Sequence, residues 1–262
     1  MITAQLLKTA GDIPLINQAL RRVANFYPEN SLVRIKSGHA AGLLWRRHHR
    51  YVNGYWLGHY EFAIQEALRR ELKPGQRFFD VGANAGFFTV LAARLVGSSG
   101  RCVAFDPSPE NAASVREQLE INQFDHCMVV QEAVGEEDGR ANFCFAAAGS
   151  PIGHLGEQRG AEREVRVKTT SLDSACARFG EPDLVKMDIE GAEGIALRGA
   201  RKLLSQIRPK WLIELHGSEQ EDQVKCFLLA ASYDFFDLAG NSVNPARLLP
   251  QHFVAVPCGR MI

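Results

Sequence analysis

Two acidic residues, each at the end of an apolar run, are the strongest sign of chemistry in this chain. Asp80 ends one run and opens a turn bounded by Gly82 and Gly86, with Asn84 between them. Asp106 ends the next run, about twenty residues beyond that turn, as in nucleotide-binding α/β folds. The pattern predicts a ligand across the carboxyl ends of a doubly wound sheet, where glycine lets the backbone approach it and a helix N-terminus faces it. Asp106 is placed to bond the ribose hydroxyls of that ligand.

The charge of Asp80 bears on which nucleotide binds. A carboxylate at the mouth of the turn repels an anionic pyrophosphate and attracts a ligand that carries an ammonium and a sulfonium. The turn also departs from the dinucleotide fingerprint, because Asn84 stands where a middle glycine would be. Both observations favour S-adenosylmethionine over NAD as the cofactor.

Length and composition fit one large α/β domain with an N-terminal extension. The chain has 262 residues, 46% of them hydrophobic, and we expect a helical extension or cap over 1–60 and the main domain over 61–262. Its formal net charge is zero and its pI is about 7.1, which disfavours a protein that coats nucleic acid or an anionic membrane.

The six cysteines are scattered and include no Cys-x-x-Cys pair, so we expect buried thiols rather than a zinc site. No apolar stretch approaches the length of a membrane span, and no signal peptide opens the sequence. These features together favour a cytoplasmic location.

Strand-like and helix-like segments alternate along the main domain, which is typical of a mostly parallel sheet with helices on both faces. We expect seven strands, one of them antiparallel, and an added β pair. The expected sheet strands are Arg77–Val81, Cys102–Phe105, Met128–Gln131, Asp183–Met187, Lys210–Leu215, Tyr233–Leu238 and Phe253–Val256, and the added pair is Ala141–Phe145 with Glu164–Lys168. Apolar residues at helical spacing over 13–27 predict an N-terminal helix that serves as a cap or a dimer contact.

Several short boxes, in order along the chain, resemble those of the FkbM-type family of S-adenosylmethionine-dependent methyltransferases. They are the turn from Asp80 to Gly86, Asp106-Pro107-Ser108-Pro109, a looser Thr170-Ser171-Leu172-Asp173, the full Lys-x-Asp-x-Glu-Gly-x-Glu box over Lys186–Glu193, and Glu214-Leu215-His216. The resemblance covers about residues 55–217. It implies a Rossmann-like class I methyltransferase fold and, most often, O-methylation of a hydroxyl on a sugar or natural product.

The turn, the acids and the resemblance together predict a cofactor site. Asp80 and Gly82 are expected at the methionine end, while Glu132 and Ala133 follow the third strand, where such folds meet adenine. Gly58-His59-Tyr60-Glu61 is similar to a family element that lies over the cofactor. The predicted cofactor-binding residues are Asp80, Gly82, Asn84, Gly86, Asp106, Glu132, Ala133, Asp188, Tyr60 and Glu61.

The predicted catalytic residues are His216, Asp188 and Glu214. Methyl transfer from a sulfonium is an in-line displacement, so alignment is the main task, and a hydroxyl acceptor must also lose its proton. His216 is the preferred base, since an imidazole titrates near neutral pH, and Glu214 would orient it or bond the substrate. Asp188 is the competing base. Magnesium held by Asp188 and Glu214 is a third alternative, but no dense ligand cluster demands it, so no resident metal is expected.

The acceptor is left open by the sequence. A small-molecule hydroxyl is favoured over RNA, and the retained acids disfavour a non-catalytic domain of the methyltransferase type. The basic run Trp45–Tyr51 is a recruiting site for an anionic substrate, a contact for RNA or a solvated turn, of which the last is commonest. We expect no nucleic-acid or membrane partner, and the N-terminal helix makes a homodimer reasonable.

Overall fold

The computed structural model of the protein describes residues 27–51, 53–145, 153–155 and 163–259. The chain divides into two compact units, one ending at Phe62 and the other beginning at Ala63. The helix predicted over 13–27 lies, except for Tyr27, outside the described residues. Its helical character and its role as a cap or dimer contact stay predictions.

The described part of the first unit is a small aromatic assembly. Strands β1 (Leu32–Arg34) and β2 (Leu44–Arg46) pair in antiparallel fashion, and a 3-10 turn follows at Tyr55–Leu57. The buried rings of Trp45 and Tyr55 lie 5.1 Å apart between centroids. Within the basic run, the Arg47 guanidinium is 3.8 Å from the centroid of the Tyr27 ring, so at least this cation packs on an aromatic face.

The second unit contains twelve strands and most of the helices among the described residues. The strands are β3 (Arg77–Val81), β4 (Arg101–Phe105), β5 (Cys127–Val130), β6 (Ala133–Gly135), β7 (Gly139–Phe145), β8 (Gly153–Leu155), β9 (Arg163–Ser171), β10 (Leu184–Met187), β11 (Lys210–Glu214), β12 (Tyr233–Phe236), β13 (Ser242–Val243) and β14 (His252–Pro257). The helices are α1 (Phe62–Glu71, starting at the last residue of the first unit), α2 (Phe87–Val96), α3 (Pro109–Ile121), α4 (Leu172–Phe179), α5 (Glu193–Arg198) and α6 (Ser218–Ala230), and a π-helical turn covers Leu203–Ile207.

Eight strands form the main sheet in the order β13-β12-β14-β11-β10-β3-β4-β5. The chain runs outward from β3 through β4 to β5, then returns to the other side of β3 for β10 and β11. Right-handed crossovers in the two opposite directions place their helices on opposite faces. The expected α/β fold of the Rossmann-like class I type is confirmed, and its switch point lies between β3 and β10.

The closing strands contain the expected antiparallel member. β14 inserts between β11 and β12 and runs antiparallel to both. The two-residue strand β13 pairs with β12 at the sheet edge and makes an eighth strand beyond the seven predicted.

The added β pair is confirmed and is part of a larger unit. β7 and β9 pair in antiparallel fashion from Gly139 opposite Thr169 to Phe145 opposite Arg163. β6 and β8 extend them to a four-stranded sheet, which sequence reasoning missed because each has only three residues.

Burial on both faces explains the near-continuous apolar strands of the main sheet. Phe79, Val185 and Trp211 are each fully buried, as is typical of parallel strands covered by helices. Strand β10 reads Leu-Val-Lys-Met, so it carries one cation, Lys186, into this core with only 3% of the residue exposed. A buried ammonium requires partners of opposite charge, and these define the site described below.

The predicted start of α3 is confirmed. Ser108 caps α3 by accepting a hydrogen bond from the backbone N–H of Asn111, and Pro109 is the first helical residue, as predicted.

All six cysteines are free thiols, three of them buried. Among the helices described, none is both long and apolar enough to cross a bilayer.

Gly82 joins β3 to the turn that follows, and substitution of this residue tests how closely the backbones after β3 and β10 pack. A β-carbon there would lie 1.8 Å from the carbonyl oxygen of Asp188, on a backbone with φ of +86°. Gly97 also has a positive φ, of +64°, but meets no atom within 4 Å. We expect Gly82→Ala to lower the free energy of unfolding by at least about 1 kcal/mol more than Gly97→Ala, since only the first adds a clash to the backbone strain. Equal losses in denaturant titrations would contradict this.

Candidate cofactor and active site

The site begins at the seam between β3 and β10, where Asp80 and Lys186 are direct register partners. Asp80 is fully buried, and its Oδ2 accepts a hydrogen bond from the Thr89 hydroxyl at 2.6 Å. Its Oδ1 lies 3.8 Å from Lys186 Nζ and has no hydrogen-bond partner among the described residues. One oxygen of a buried carboxylate therefore retains capacity for a donor from a ligand.

Lys186 lies between two carboxylates. Its Nζ is 3.3 Å from Asp188 Oδ2 and 5.2 Å from the centroid of the Phe88 ring. Burial raises the pKa of Asp80, although Lys186 and the Thr89 hydroxyl oppose the shift. With both acids ionised the three groups carry one net negative charge, which a cationic ligand would neutralise.

The turn after β3 is shaped by close backbone approach. Gly82 lacks a side chain where Asp188 passes, and the backbone N–H of Asp188 donates to the Val81 carbonyl at 3.0 Å. Asn84 adopts a left-handed φ of 49°, which asparagine tolerates well. Its side-chain Oδ1 is buried without a hydrogen-bond partner among the described residues. Gly86, with φ of 94°, is the N-cap of α2 and packs on Val115.

Asp106 is buried and is hydrogen-bonded from several directions. It accepts from the backbone N–H groups of Asn84 at 2.8 Å and Ser108 at 3.0 Å, and from the Asn111 amide at 3.2 Å. Burial raises the pKa of Asp106 to about 7, against the lowering effect of these donors. The bond to Asn84 fixes Asp106 against the glycine turn.

An open cleft of about 600 Å³, counting the solvent at its mouth, connects these groups. It is lined by Val81, Gly82, Asn84, Phe105, Asp106, Pro107, Asn111, Glu132, Ala133, Val134, Phe143, Asp188, Ile189, Glu190 and Ala192. Six of the predicted cofactor residues thus line one cleft, while Asp80 and Gly86 are not among its lining residues. Glu132 already forms an ion pair with Arg178, at 2.6 Å between Oε2 and Nη1, so its charge is partly compensated.

His216, just beyond β11, lies among four carboxylates. Its Nδ1 is 2.9 Å from Glu193 Oε1, and its Nε2 is 3.4 Å from Glu190 Oε2, 3.7 Å from Glu214 Oε1 and 3.8 Å from Asp188 Oδ1. Burial alone would lower the pKa of His216, but the hydrogen bond to Glu193 and the charges of Glu190, Glu193 and Asp188 raise it to about 9. The expectation that this imidazole titrates near neutral pH is therefore wrong for the ligand-free protein.

The segment after β10 is bent to bring Glu190 and Glu193 to this histidine. Glu190 has a left-handed φ of 53°, uncommon for a residue with a side chain, and Gly191 follows at 98°. Burial raises the pKa of Glu190, an effect that His216 opposes and the neighbouring acids reinforce. Glu193, fully buried, accepts the Gly191 N–H at 3.2 Å and opens α5. A strained backbone at a charged cleft is typical of functional sites.

Glu214 is held by the neighbouring antiparallel strand. Its Oε2 is 3.0 Å from Nε2 of His252, its direct register partner, and its Oε1 accepts from the Gln251 amide at 3.0 Å. Burial opposes ionisation of Glu214, but His252 and His216 lower its pKa below the ordinary value. Glu214 therefore presents a negative charge to His216.

The three residues predicted as catalytic, His216, Asp188 and Glu214, come together in space. Sequence reasoning missed Lys186 and His252 as parts of the site. A lysine inside an apolar strand was an available signal for Lys186. Nothing in the sequence pairs His252 with Glu214, since their contact depends on where β14 inserts.

Tyr60 and Glu61 belong to the first unit. The Tyr60 ring packs edge-on against Tyr55, with centroids 4.6 Å apart. Glu61 adopts a positive φ of 40° immediately before α1. Their assignment to the cofactor site stays a prediction.

Comparison with known proteins decides the family. The model of the methyltransferase FkbM domain matches residues 80–242, which is more than half of the chain. This chain belongs to the FkbM methyltransferase family.

Curated relatives match over shorter stretches. The 2-O-methyltransferase NoeI of Sinorhizobium fredii is 27% identical over 153 residues, which are 52% of this chain and 62% of NoeI. Ribosomal RNA large subunit methyltransferase E of Sorangium cellulosum is 36% identical over 77 residues, 29% of this chain and 36% of that protein. Protein-L-isoaspartate O-methyltransferase 1 of Arabidopsis thaliana is 37% identical over 57 residues, 22% and 25% of the two chains. The chain spans between a quarter and about three fifths of the length of these relatives.

Solved structures with related folds are distant in sequence. Methyltransferase FkbM from Methylobacillus flagellatus is 16% identical, with a TM-score of 0.48 over 92% of this chain and 58% of that one. A SAM-dependent O-methyltransferase from Thermotoga maritima is 15% identical, with a TM-score of 0.44 over 76% and 66% of the two chains.

The family implies S-adenosylmethionine, and the residues present fit it. The buried Asp80 Oδ1 without a hydrogen-bond partner suits an ammonium donor. Gly82 and Asn84 line the cleft beside it. Asp106 lines the same cleft as an acceptor for ribose hydroxyls.

The pKa of Asp106 predicts how cofactor affinity depends on pH. A pKa raised to about 7 leaves roughly a tenth of Asp106 ionised at pH 6 and roughly nine tenths at pH 8. If Asp106 binds the ribose as predicted, its ionised form would accept the hydroxyls, and affinity for S-adenosylhomocysteine should rise about tenfold over this range in calorimetry. The stability of the protein alone should depend on pH in the opposite direction. Because the pKa of Asp106 is raised on folding, its contribution to the free energy of unfolding is fully present below pH about 4 and is lost as pH rises through about 7.

The control for this prediction is Asp106→Asn, which keeps the shape and removes the titration. We expect weaker binding that no longer varies between pH 6 and 8. The same pH dependence in both proteins would show that another group is responsible.

Proposed function

We propose that this methyltransferase transfers the methyl group of S-adenosylmethionine to a hydroxyl group of a small molecule, such as a sugar, glycan or natural product. The observation that carries the proposal is that the cleft lined by Gly82 is also lined by Asp188 and Glu190, two of the carboxylates around His216. Asp188 belongs to both: it lines the cleft and lies 3.8 Å from His216 Nε2.

The chain's own residues divide the work between binding and alignment. Asp80 offers a buried carboxylate oxygen to a cationic group, and Asp106 offers acceptors to a ribose. Glu132 and Ala133 lie on the same cleft, where an adenine amino group would meet Glu132. The bound cofactor supplies an electrophilic methyl on a positively charged sulfur. Since charge is lost in that displacement, these groups act mainly by holding the partners in line.

The acceptor hydroxyl must also lose its proton. Asp188 lines the cleft and would receive it directly, whereas His216 would receive it only in its neutral form, which is the minor form near pH 7 because its pKa is raised to about 9. Glu193 holds the histidine at Nδ1, on the other side of the ring from Asp188 and Glu214. The name of NoeI, a 2-O-methyltransferase, supports a hydroxyl as the acceptor group.

A second candidate function, RNA methylation, draws on one surface. Exposed Arg140, Arg166 and Lys168 share a face of the added sheet and line a groove with Pro107 and Pro109. Pro107 also lines the cofactor cleft. Three cations do not make the continuous basic face that RNA recognition requires, and the net charge of the chain is zero, so we favour the small molecule. The zero net charge also leads us to propose no nucleic-acid or membrane partner. The scattered cysteines, which form no disulfide among the described residues, lead us to propose a cytoplasmic setting.

Asp80→Asn tests the cofactor assignment. The change keeps the size of the side chain but removes the charge, so affinity for S-adenosylhomocysteine should fall by at least about tenfold, the loss of one charge-assisted contact. Asp183→Asn is the matched control, because Asp183 lies at the opposite end of β10 and accepts from the Arg77 N–H. Calorimetry of both variants with S-adenosylhomocysteine, S-adenosylmethionine and NAD measures this. Unchanged affinity in Asp80→Asn, or tight binding of NAD, would contradict the assignment.

Transfer of a labelled methyl group tests the acceptor class. We expect incorporation into hydroxylated glycans or natural products, none into the same molecules lacking the hydroxyl, and none into total RNA. The triple variant Arg140→Ala, Arg166→Ala, Lys168→Ala should retain this activity within about twofold, since surface charges away from a site have small effects. Labelling of RNA that the triple variant abolishes would favour the second candidate.

A further inference from the structure

Three side chains at the carboxyl end of β10 and β11 have the spacing of a metal site. Asp188, Glu214 and His216 each offer one ligand atom, and these atoms all lie within 4.8 Å of one another. Two of the separations, from His216 Nε2 to Asp188 Oδ1 and to Glu214 Oε1, are 3.8 and 3.7 Å. Ligands about 2.1 Å from one ion are separated by about 3.0 Å in octahedral and about 3.4 Å in tetrahedral geometry. Movements below about 1 Å would close the set.

The histidine is oriented as metal-bound histidines are. Its Nδ1 is 2.9 Å from Glu193 Oε1, so the carboxylate fixes the ring and, when Nδ1 carries the proton, leaves the Nε2 lone pair facing the other acids. Glu193 is fully buried, and its Oε2 has no hydrogen-bond partner among the described residues. The chain thus provides a rigid carboxylate–imidazole pair whose free nitrogen faces Asp188, Glu190 and Glu214.

Glu214 is likewise oriented from behind. Its contacts with His252 and Gln251 hold both oxygens in place from the adjacent strand. Glu190 Oε2, 3.4 Å from His216 Nε2, is near enough to become a fourth ligand. Such outer contacts are what position ligands in metal centres.

The charge of the cluster also calls for a cation. Asp188, Glu190, Glu193 and Glu214 surround one imidazole, and like charges at this spacing repel strongly in a half-buried site. The ammonium of Lys186 pairs with Asp188, but it also lies near Asp80, so its single charge is shared between two carboxylates. His216 and His252, the latter 3.0 Å from Glu214, are the other basic groups here, so the four acids outnumber their basic partners and a divalent ion would add two positive charges.

We propose that Asp188, Glu214 and His216 bind one divalent metal ion, with Glu190 as an additional ligand and Glu193 as the carboxylate that orients His216. One imidazole with several carboxylates suits Mn²⁺, Fe²⁺ or Zn²⁺ better than an all-oxygen magnesium site. The site replaces the expectation of no resident metal. Because Asp188 also lines the cofactor cleft, the ion would bind the acceptor hydroxyl there and lower its pKa, so that the proton passes to water in the open cleft. With Nε2 bound to the ion, His216 would hold the metal instead of accepting the proton, and this role rests on the proposed function.

The test uses Mn²⁺ alone with the full chain stripped of metal by a chelator. Loss of the electron paramagnetic resonance signal of free Mn²⁺ measures binding, and we expect one ion per chain with Kd below about 100 µM. His216→Ala and Glu214→Gln should each weaken binding at least about tenfold, and Glu193→Gln by about 10- to 100-fold through the ring orientation. His126→Ala is the matched control, since this half-buried histidine precedes β5 at the opposite edge of the sheet and bonds the Ala93 carbonyl.

S-adenosylhomocysteine affinity, measured on the same proteins, separates this inference from the proposed function. Mn²⁺ binding that is lost in His216→Ala and kept in His126→Ala, with S-adenosylhomocysteine affinity within about threefold in both, supports the metal site. Wild-type protein that binds S-adenosylhomocysteine but no Mn²⁺ overturns the metal site alone. Mn²⁺ binding without S-adenosylhomocysteine binding leaves the metal site standing and overturns the cofactor assignment.

Two further outcomes also overturn the proposal. Equal Mn²⁺ affinity in wild type and His216→Ala would place the ion elsewhere. Displacement of Mn²⁺ by saturating S-adenosylmethionine would show that the cationic cofactor, not a metal, is the partner of these carboxylates. If His216→Ala does not fold by circular dichroism, Glu214→Gln decides the matter, because it conserves the shape of the side chain.

Discussion

The register between β3 and β10 is the constraint on which the site depends. Parallel pairing sets Asp80 beside Lys186, and the next bond of the ladder, from Asp188 N–H to the Val81 carbonyl, brings Asp188 over Gly82. A slip of one residue would turn Asp80 and Lys186 to opposite faces and leave two charges buried apart. Gly82 permits this register because it has no side chain to collide with the Asp188 carbonyl, which follows β10.

Local patterns were sufficient to predict the fold and much of the cleft. The strands, the capped start of α3 and the glycine turn each have a signature within a few residues, and the order of boxes identified the family. Asp188 and His216 were also within reach, since parallel strands end at one edge of a sheet. Contacts between side chains that are far apart in the sequence could not be predicted, because they depend on side-chain direction and on where distant strands insert. The contact of His252 with Glu214 is an example.

The pKa of His216 is a case in which residue type alone misleads. A histidine at a strand end suggests a group that titrates near neutrality, but the acids that surround it come from the segment after β10, from α5 and from β11, and their approach is visible only in three dimensions. Asp173 illustrates the opposite case. It belongs to a family box, yet its oxygens accept the backbone N–H groups of Lys202 and Leu203 at 2.9 Å, a structural role at the start of the π-helical turn.

The insertion of β14 between β11 and β12 has a consequence for the order in which the molecule is built. During synthesis, β11 and β12 leave the ribosome before the strand that joins them, so this half of the sheet waits with open edges for β14 to arrive. Glu214 gains His252 only at that moment. The contacts of His216 with Asp188, Glu190 and Glu193 join residues that all precede β12, so within the acidic cluster only the support of Glu214 depends on the last strand.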